Sequence, residues 1–272
     1  MTITTVSVIG VGTLGKQIAE RAALCNYEVH VFDVNPRGLR EFVQNVQQKV
    51  RAHGSTGELT IHDTLADAVS TADLIVEAVP EKLELKRAVF AQIDQAAPSH
   101  AIIATNSSSI PVSRLEDAVK RPDKVLNIHF YKIPDQPMAD VARGTATSDD
   151  TFEAGLTWVR SLEITPLVVK KECLGFVFNR VWRAIKKECL HVWAGGYAEK
   201  EAVDRAWKIF TGMSQGPFEL MDAVGLDVVY DIEMMYYRDS GDPRDQPPQR
   251  LKAMVDRGDL GVKSGKGFYH YE

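Results

Sequence analysis

Apolar and polar positions recur in two patterns along the first half of the chain. Short β-branched runs, which read as strands, are separated by longer stretches of helical periodicity. The run ITTVSVIG predicts a strand from Ile3 to Gly10, and TLGKQIAERAAL a helix from Thr13 to Leu24 with small residues on one side. EVHVF predicts a second strand, Glu28 to Phe32, ending at Asp33. Asn35-Pro36 then marks a turn, and a helix starting at Pro36 is expected to run to about Ala52. Further strands are expected at 59–61, 74–79, 101–105 and 125–130, with helices at 82–95 and 112–119. Strands alternating with helices in this way predict an α/β fold, a doubly wound, mostly parallel sheet covered on both faces.

Past about Asp140 the strand pattern fades, apart from Pro166 to Lys170, and after Gly175 the periodicity is helical. FVFNRVWRAIKKECLHVWA, EKEAVDRAWKIF and DAVGLDVVYDIEMMYY follow one another, then the Pro-rich, charged SGDPRDQPPQ reads as an exposed loop before a short final helix. The expected organisation is a sheet domain over 1–172 and a smaller all-helical C-terminal domain over 173–272. Met234, Met235, Tyr236 and Tyr237, at helical spacing, are expected in a core or a subunit interface.

Length and composition narrow the function classes. At about 150 residues per domain, 272 residues suit two domains and an enzyme-sized core. Thirty-two Lys and Arg against 37 Asp and Glu give a net charge of −5, with no basic face to attract nucleic acid or an anionic membrane. Apolar runs such as Leu74–Val79 fall far short of the ~20 residues that span a bilayer. The opening MTITTVSVIGVG lacks the basic and long apolar regions of a secretory signal, so a cytoplasmic location is expected. Cys25, Cys173 and Cys189 are odd in number and scattered, which favours reduced thiols over disulfides. No CxxC pair exists, and Cys189 and His191 point to different faces of one helix, so no metal site is expected.

Gly10-Val11-Gly12-Thr13-Leu14-Gly15 is a GxGxxG placed directly after a predicted strand and opening a predicted helix. The first glycine permits a tight turn, the second a close approach of backbone to a pyrophosphate, and the third close helix–strand packing. Asp33, 18 residues after Gly15 at the end of the second strand, is placed to accept from a ribose diol. A Rossmann-type site for NAD is expected, with Gly10, Gly12, Thr13, Leu14, Gly15 and Asp33 as its contacts. Asp33 would repel a 2′-phosphate, while nearby Arg37 keeps NADP open as an alternative or is simply a solvated helix arginine.

Downstream, VEAVPEKLELKRAVF from Val76, ATNSSSI from Ala104, NIHF from Asn127 and GFVFNR from Gly175 occur in order, followed by GPFELMDAVGLD and KSGKGFYHY. In this order and spacing the chain resembles the L-3-hydroxyacyl-CoA dehydrogenase family, with its relatives acting on free 3-hydroxy acids, over nearly its whole length. The resemblance implies His129 as the general base of an alcohol oxidation, paired with an acid. The family's acid is a glutamate. Aligned from the right on DVARGTATSDDT it falls on Asp140, which we prefer; counted from His129 without a gap it falls on Val141 or Ala142. HFYKIPDQPM also lacks the family's Asn-Pro and is one residue shorter. The resemblance further implies Ser108 as hydrogen-bond partner of the substrate oxygen and Asn179 near the histidine and the substrate carbonyl. Asn106 would meet the nicotinamide end, and Glu81 and Lys86 the nicotinamide ribose. A plain charged helix face is the competing reading for the last two.

The compact segment Gln44–Asp63 offers only Lys49 and Arg51 as cations where CoA-using relatives carry a basic helical excursion. The substrate is therefore either an L-3-hydroxyacyl-CoA of fatty acid metabolism or a small non-CoA 3-hydroxy acid, carbonyl or imine. A dinucleotide-binding structural or sensing protein that has lost catalysis is the third reading. By resemblance the helical domain, with Phe176, Phe178, Trp182, Trp193 and Trp207, is expected to support a homodimer. Gly216–Glu219 and the glycines near the chain end are expected to be turn chemistry.

Overall fold

The computed structural model describes residues 2–271. They form two compact units, one ending at Val177 and one starting at Phe178.

The first unit is an eight-stranded sheet with helices. In chain order it comprises β1 (Thr5–Ile9), α1 (Thr13–Leu24), β2 (Glu28–Phe32), α2 (Leu39–His53), β3 (Glu58–Ile61), α3 (Leu65–Val69), β4 (Leu74–Glu77), α4 (Leu83–Ala96), β5 (Ile102–Thr105), β6 (Val125–Phe130), β7 (Met138–Arg143), α5 (Asp149–Ser161) and β8 (Thr165–Val169). The sheet order is β3-β2-β1-β4-β5-β6-β7-β8. Every neighbouring pair is parallel except β6 and β7. The order reverses between β1 and β4, the switch point at which open α/β sheets bind ligands outside the carboxyl ends of their strands. β1, β4 and β5 are buried along their whole length, which is why they read as apolar runs rather than as alternation. One core layer gathers Val6, Val8, Ile18, Ala22 and Trp158, and a second Ile9, Ile75, Phe90, Ile103 and Leu115.

Three departures from the sequence reading have physical causes. The expected helix at 112–119 is two 3-10 turns, Val112–Arg114 and Glu116–Ala118. Pro111 precedes them, and the Glu116 carboxylate accepts from the backbone N–H of Thr145, 2.8 Å away, tying the segment to a distant loop. β7 falls where the strand pattern fades. MADVAR carries no β-branched run and is extended because β6 and β8 flank it on both sides. α5, in the same stretch, starts with the Ser148 hydroxyl accepting from Thr151 N–H, an N-cap.

The second unit is helical: α6 (Phe178–Ala194), α7 (Lys200–Thr211), α8 (Pro217–Val224), α9 (Leu226–Ser240) and α10 (Gln249–Asp256). Its core joins Leu190, Trp193, Phe218, Met221, Leu226 and Phe268. Two buried carboxylates knit the turns to it. Asp204 accepts from Phe218 N–H (2.9 Å) and the Tyr269 hydroxyl (2.9 Å), and Asp222 from Phe268 N–H (2.9 Å) and Tyr269 N–H (2.9 Å). Gly216–Glu219 enters α8 as a turn, with Pro217 at its first position and Glu219 accepting from Gly216 N–H at 2.9 Å. The cysteines are free thiols, and burial pushes Cys189 up to about 11.

Candidate active site

The glycine motif is built as its spacing requires. Gly10 has φ +94°, and its N–H donates to Phe32 O at 2.9 Å, closing the turn out of β1. A Cβ on Gly15 would lie 2.0 Å from Gly10 O, so α1 rests directly on that turn. Gly12, the N-cap of α1, has open space on its Cβ side, and Thr13 beside it is exposed. The first-turn N–H groups of α1 are therefore approachable by a phosphate, as the cofactor requires. Asp33 is fixed across the ends of β1 and β2, accepting from Val11 N–H (2.7 Å) and Asn35 N–H (2.8 Å). Arg37, four residues on, is exposed.

A recess of about 210 Å³ is lined by Leu14, Ala78, Val79, Glu81, Lys86, Asn106, Ser108 and His129. Leu14 comes from the glycine motif, so this recess adjoins the dinucleotide end of α1. Lys86 of α4 is not on a solvated helix face: it is 1% exposed, with Nζ 2.8 Å from Glu77 Oε1, 3.2 Å from Val79 O and 3.3 Å from Glu81 Oε2. Thr105 Oγ1 donates to the other Glu77 oxygen at 2.8 Å. Burial pushes the Glu77 carboxyl up from its ordinary value, against the pull of the Lys86 charge. Burial also works against ionised Glu81, but the Ser107 hydrogen bond, the Lys86 charge and Ser109 outweigh it and hold Glu81 below the usual carboxylate range.

The serine run divides its labour. The Ser107 hydroxyl donates to Glu81 Oε1 at 2.5 Å, and the Ser109 hydroxyl and N–H donate to the same oxygen at 2.7 and 3.0 Å. Ser108 is exposed at the recess, the hydroxyl left over for a ligand. Asn106, just past β5, ties it to β4 and β6: its N–H donates to Glu77 O (2.8 Å) and its side-chain oxygen accepts from Phe130 N–H (2.9 Å).

His129 stands near the carboxyl end of β6. The antiparallel register pairs it directly with Asp140, whereas Val141 pairs with Ile128 and faces the other side. His129 Nδ1 is 3.1 Å from Asp140 Oδ2, with Asp140 wholly buried and His129 7% exposed. The same Oδ2 accepts from the Tyr131 hydroxyl at 2.7 Å, and Oδ1 accepts from Val177 N–H at 3.3 Å. The Tyr131 ring meets the imidazole edge-on at 4.7 Å, and Phe176 packs at 5.8 Å. Holding Nδ1 on a carboxylate leaves Nε2 as the nitrogen that can exchange a proton with a ligand. Glu77, Ser107 and Tyr131 were not singled out in the sequence. Only Tyr131 left a trace there, as a hydroxyl two residues after His129, just past the end of β6.

The fold thus gathers Leu14, Glu81, Lys86, Asn106, Ser108 and His129 around one recess, with Asp140 behind His129. Asn179 lies in the first turn of α6, in the second unit. No group of three or more His, Cys, Asp or Glu among the described residues is arranged to hold a metal ion, and no described helix is long and apolar enough to cross a membrane.

Comparison with known proteins gives concordant matches in both units. Residues 5–173 match the family model of the 3-hydroxyacyl-CoA dehydrogenase NAD binding domain, and residues 175–271 that of the 3-hydroxyacyl-CoA dehydrogenase C-terminal domain. A probable 3-hydroxybutyryl-CoA dehydrogenase of Bacillus subtilis is 31% identical over 285 residues, covering 100% of this chain and 99% of its own. The structure of (S)-3-hydroxybutyryl-CoA dehydrogenase from Ralstonia eutropha superimposes with a TM-score of 0.90 at 29% identity, covering 100% of both chains. A diketoreductase, described as acting on dicarbonyl compounds, superimposes with a TM-score of 0.86 at 32% identity, again over 100% of both chains.

Proposed function

The chain belongs to the 3-hydroxyacyl-CoA dehydrogenase family, and from that premise we propose that it interconverts an L-3-hydroxyacyl-CoA and its 3-keto form, with His129 as the general base. It is an NAD-dependent oxidoreductase acting on CH–OH. Bound NAD supplies the acceptor for the hydride leaving the carbinol carbon. The chain's own residues manage the proton. Ser108 hydrogen-bonds the substrate hydroxyl at the recess, His129 Nε2 takes the hydroxyl proton as the hydride departs, and Asp140 stabilises the imidazolium through Nδ1–H. In reduction the same imidazolium returns the proton to the alkoxide. By family resemblance Glu81 and Lys86 would lie near the nicotinamide ribose, Asn106 would meet the nicotinamide end, and Asn179 is assigned to the substrate carbonyl.

The observation that carries this reading is the buried His129–Asp140 pair at a recess shared with Leu14 of the phosphate-binding turn. It weighs against the reading of a lapsed dinucleotide-binding protein, because the acid that a broken dyad would lack is in place.

A small non-CoA substrate is the second reading, and one observation favours it. Between α2 and β3 there is only a tight turn, and of the two candidate cations near the end of α2, Lys49 and Arg51, Lys49 is already paired with Glu20 at 2.6 Å. NADH oxidation with acetoacetyl-CoA, beside free acetoacetate and a panel of small 3-keto acids, decides between the two. A high rate on the thioester alone supports the first reading, and a rate only on free acids the second. His129→Ala should lower turnover about 10²-fold or more with NADH binding retained. Normal turnover in that variant removes His129 from the mechanism, and no rate on any substrate returns the lapsed reading. We further propose a homodimer built on the helical unit.

A further inference from the structure

The acid of this dyad is an aspartate, one methylene shorter than a glutamate, and it hangs from a strand whose position is fixed by ladders on both sides. Its contact with the imidazole, 3.1 Å, is at the long end of the range for an effective dyad hydrogen bond, about 2.6 to 3.2 Å. The shorter contact on that same oxygen comes from Tyr131, at 2.7 Å. Tyr131 is buried, lies just past the end of β6 two residues after His129, and meets the imidazole edge-on. One side chain therefore touches both members of the pair, the carboxylate through its hydroxyl and the imidazole through its ring.

We propose that Tyr131 is a positioning residue of the reaction, holding Asp140 Oδ2 at the imidazole and so doing for an aspartate what an extra methylene does for a glutamate. This rests on His129 being the base. The physical argument is one of alignment. A carboxylate on a two-bond stem rotates about χ2, and the sp³–sp² torsion that governs it is broad. Two points fix the plane: Val177 N–H on Oδ1 and the Tyr131 hydroxyl on Oδ2. Without the hydroxyl, Oδ2 is free to swing from the Nδ1 direction, and the ring tautomer that presents a bare Nε2 is no longer enforced. Tyr131 does not move a proton to or from substrate. Its effect is transmitted wholly through Asp140.

Two features distinguish this role from a merely structural one. Tyr131→Phe keeps the ring and removes only the hydroxyl. It should lower kcat about tenfold, the scale of a hydrogen bond to a charged group, while KM and NADH affinity stay within about twofold. Because the role runs through Asp140, Tyr131→Phe should add no loss in an Asp140→Ala background, so the double variant should match Asp140→Ala alone. If Asp140→Ala fails to fold, as judged by circular dichroism, Asp140→Leu, which fills the space without an acceptor, serves as the background. Wild-type kcat in Tyr131→Phe, a change confined to KM, or losses that multiply in the double variant would each overturn the proposal. Failure of the underlying reading looks different, since it appears as normal turnover in His129→Ala, whatever Tyr131→Phe does.

Discussion

A lysine that is almost wholly inaccessible must be held by its partners, and Lys86 has two carboxylates, Glu77 at 2.8 Å and Glu81 at 3.3 Å, besides Val79 O. Removing one member of a buried ion pair leaves the other charge without compensation, which typically costs about 3–5 kcal/mol. Lys86→Met is therefore expected to lower the unfolding free energy by that order, read as a fall in the denaturant midpoint, and combining it with Glu77→Gln to recover part of the loss. A Lys86→Met midpoint unchanged from wild type would show the pair to be dispensable. Nothing in the letters LELK announced this burial. The resemblance offered a place near the nicotinamide ribose and the bare sequence a charged helix face, and only the meeting of β4, α4 and the loop carrying Glu81 encloses the ammonium. Alignment from either end gave a different residue for the partner of His129, and Asp140 was the preferred of the readings. Cross-strand register settles the geometry because a one-residue slip would turn the side chain to the other sheet face. Gly15, by contrast, was legible in full from its spacing. Its absent Cβ would lie 2.0 Å from Gly10 O, so Gly15→Ala must push α1 off the turn. NADH binding, followed by cofactor fluorescence, should fall at least tenfold in that variant if the turn and the helix terminus form the phosphate site.

Elements whose pattern is set by two-sided burial were the easiest to read: β1, β4 and β5 are continuous apolar runs because helices cover both faces. β7 was not legible, because MADVAR is extended by its neighbours rather than by its own propensity. The 112–119 stretch reads as helix by composition, yet its Glu116 is consumed by the Thr145 loop. At the far edge of the sheet, β2 and β3 bring His30 and His62 into a stacked pair with ring centroids 4.7 Å apart. His62 also extends the ladder through its N–H to Val31 O at 3.0 Å. Burial and the neighbouring His30 together hold the His62 imidazole below its ordinary value of 6.5, against the pull of Asp67 and Asp63. The unfolded chain then binds more protons than the folded one between the two values. Stability conferred by neutral His62 is thus complete above about pH 6.5 and is lost as pH falls. Unfolding titrations between pH 7.5 and 5.5 should show a declining midpoint for the native chain and a flatter one for His62→Gln. Equal slopes would assign the pH dependence to other groups.

At the scale of the whole molecule the question is what covers α7. Val203, Ala206, Trp207 and Phe210 recur at helical spacing along it and line an apolar hollow of about 440 Å³ with Ala198 and Ala202. Phe210 and Ile209 are 90% and 79% exposed, and Tyr197 and Met213 stand exposed nearby. Contiguous apolar surface of this kind is uncommon on a lone soluble domain and usual where subunits meet. A second copy of the chain is the proposed occupant, because a two-fold interface needs only one self-complementary patch and the family resemblance implies a dimer. Sedimentation should then give about twice the 30.2 kDa chain mass. Phe210→Glu would place a charge in each copy of that patch and should shift the species to the monomer. A native mass of one chain would remove the dimer, whereas an undisturbed dimer in Phe210→Glu would move the interface to another face. The His129–Asp140 pair and the glycine motif lie wholly within the first unit of one chain. NADH affinity is therefore expected to survive in the monomeric variant, so a loss of turnover there would point to the state of the helical unit, which carries Asn179, rather than to the cofactor site.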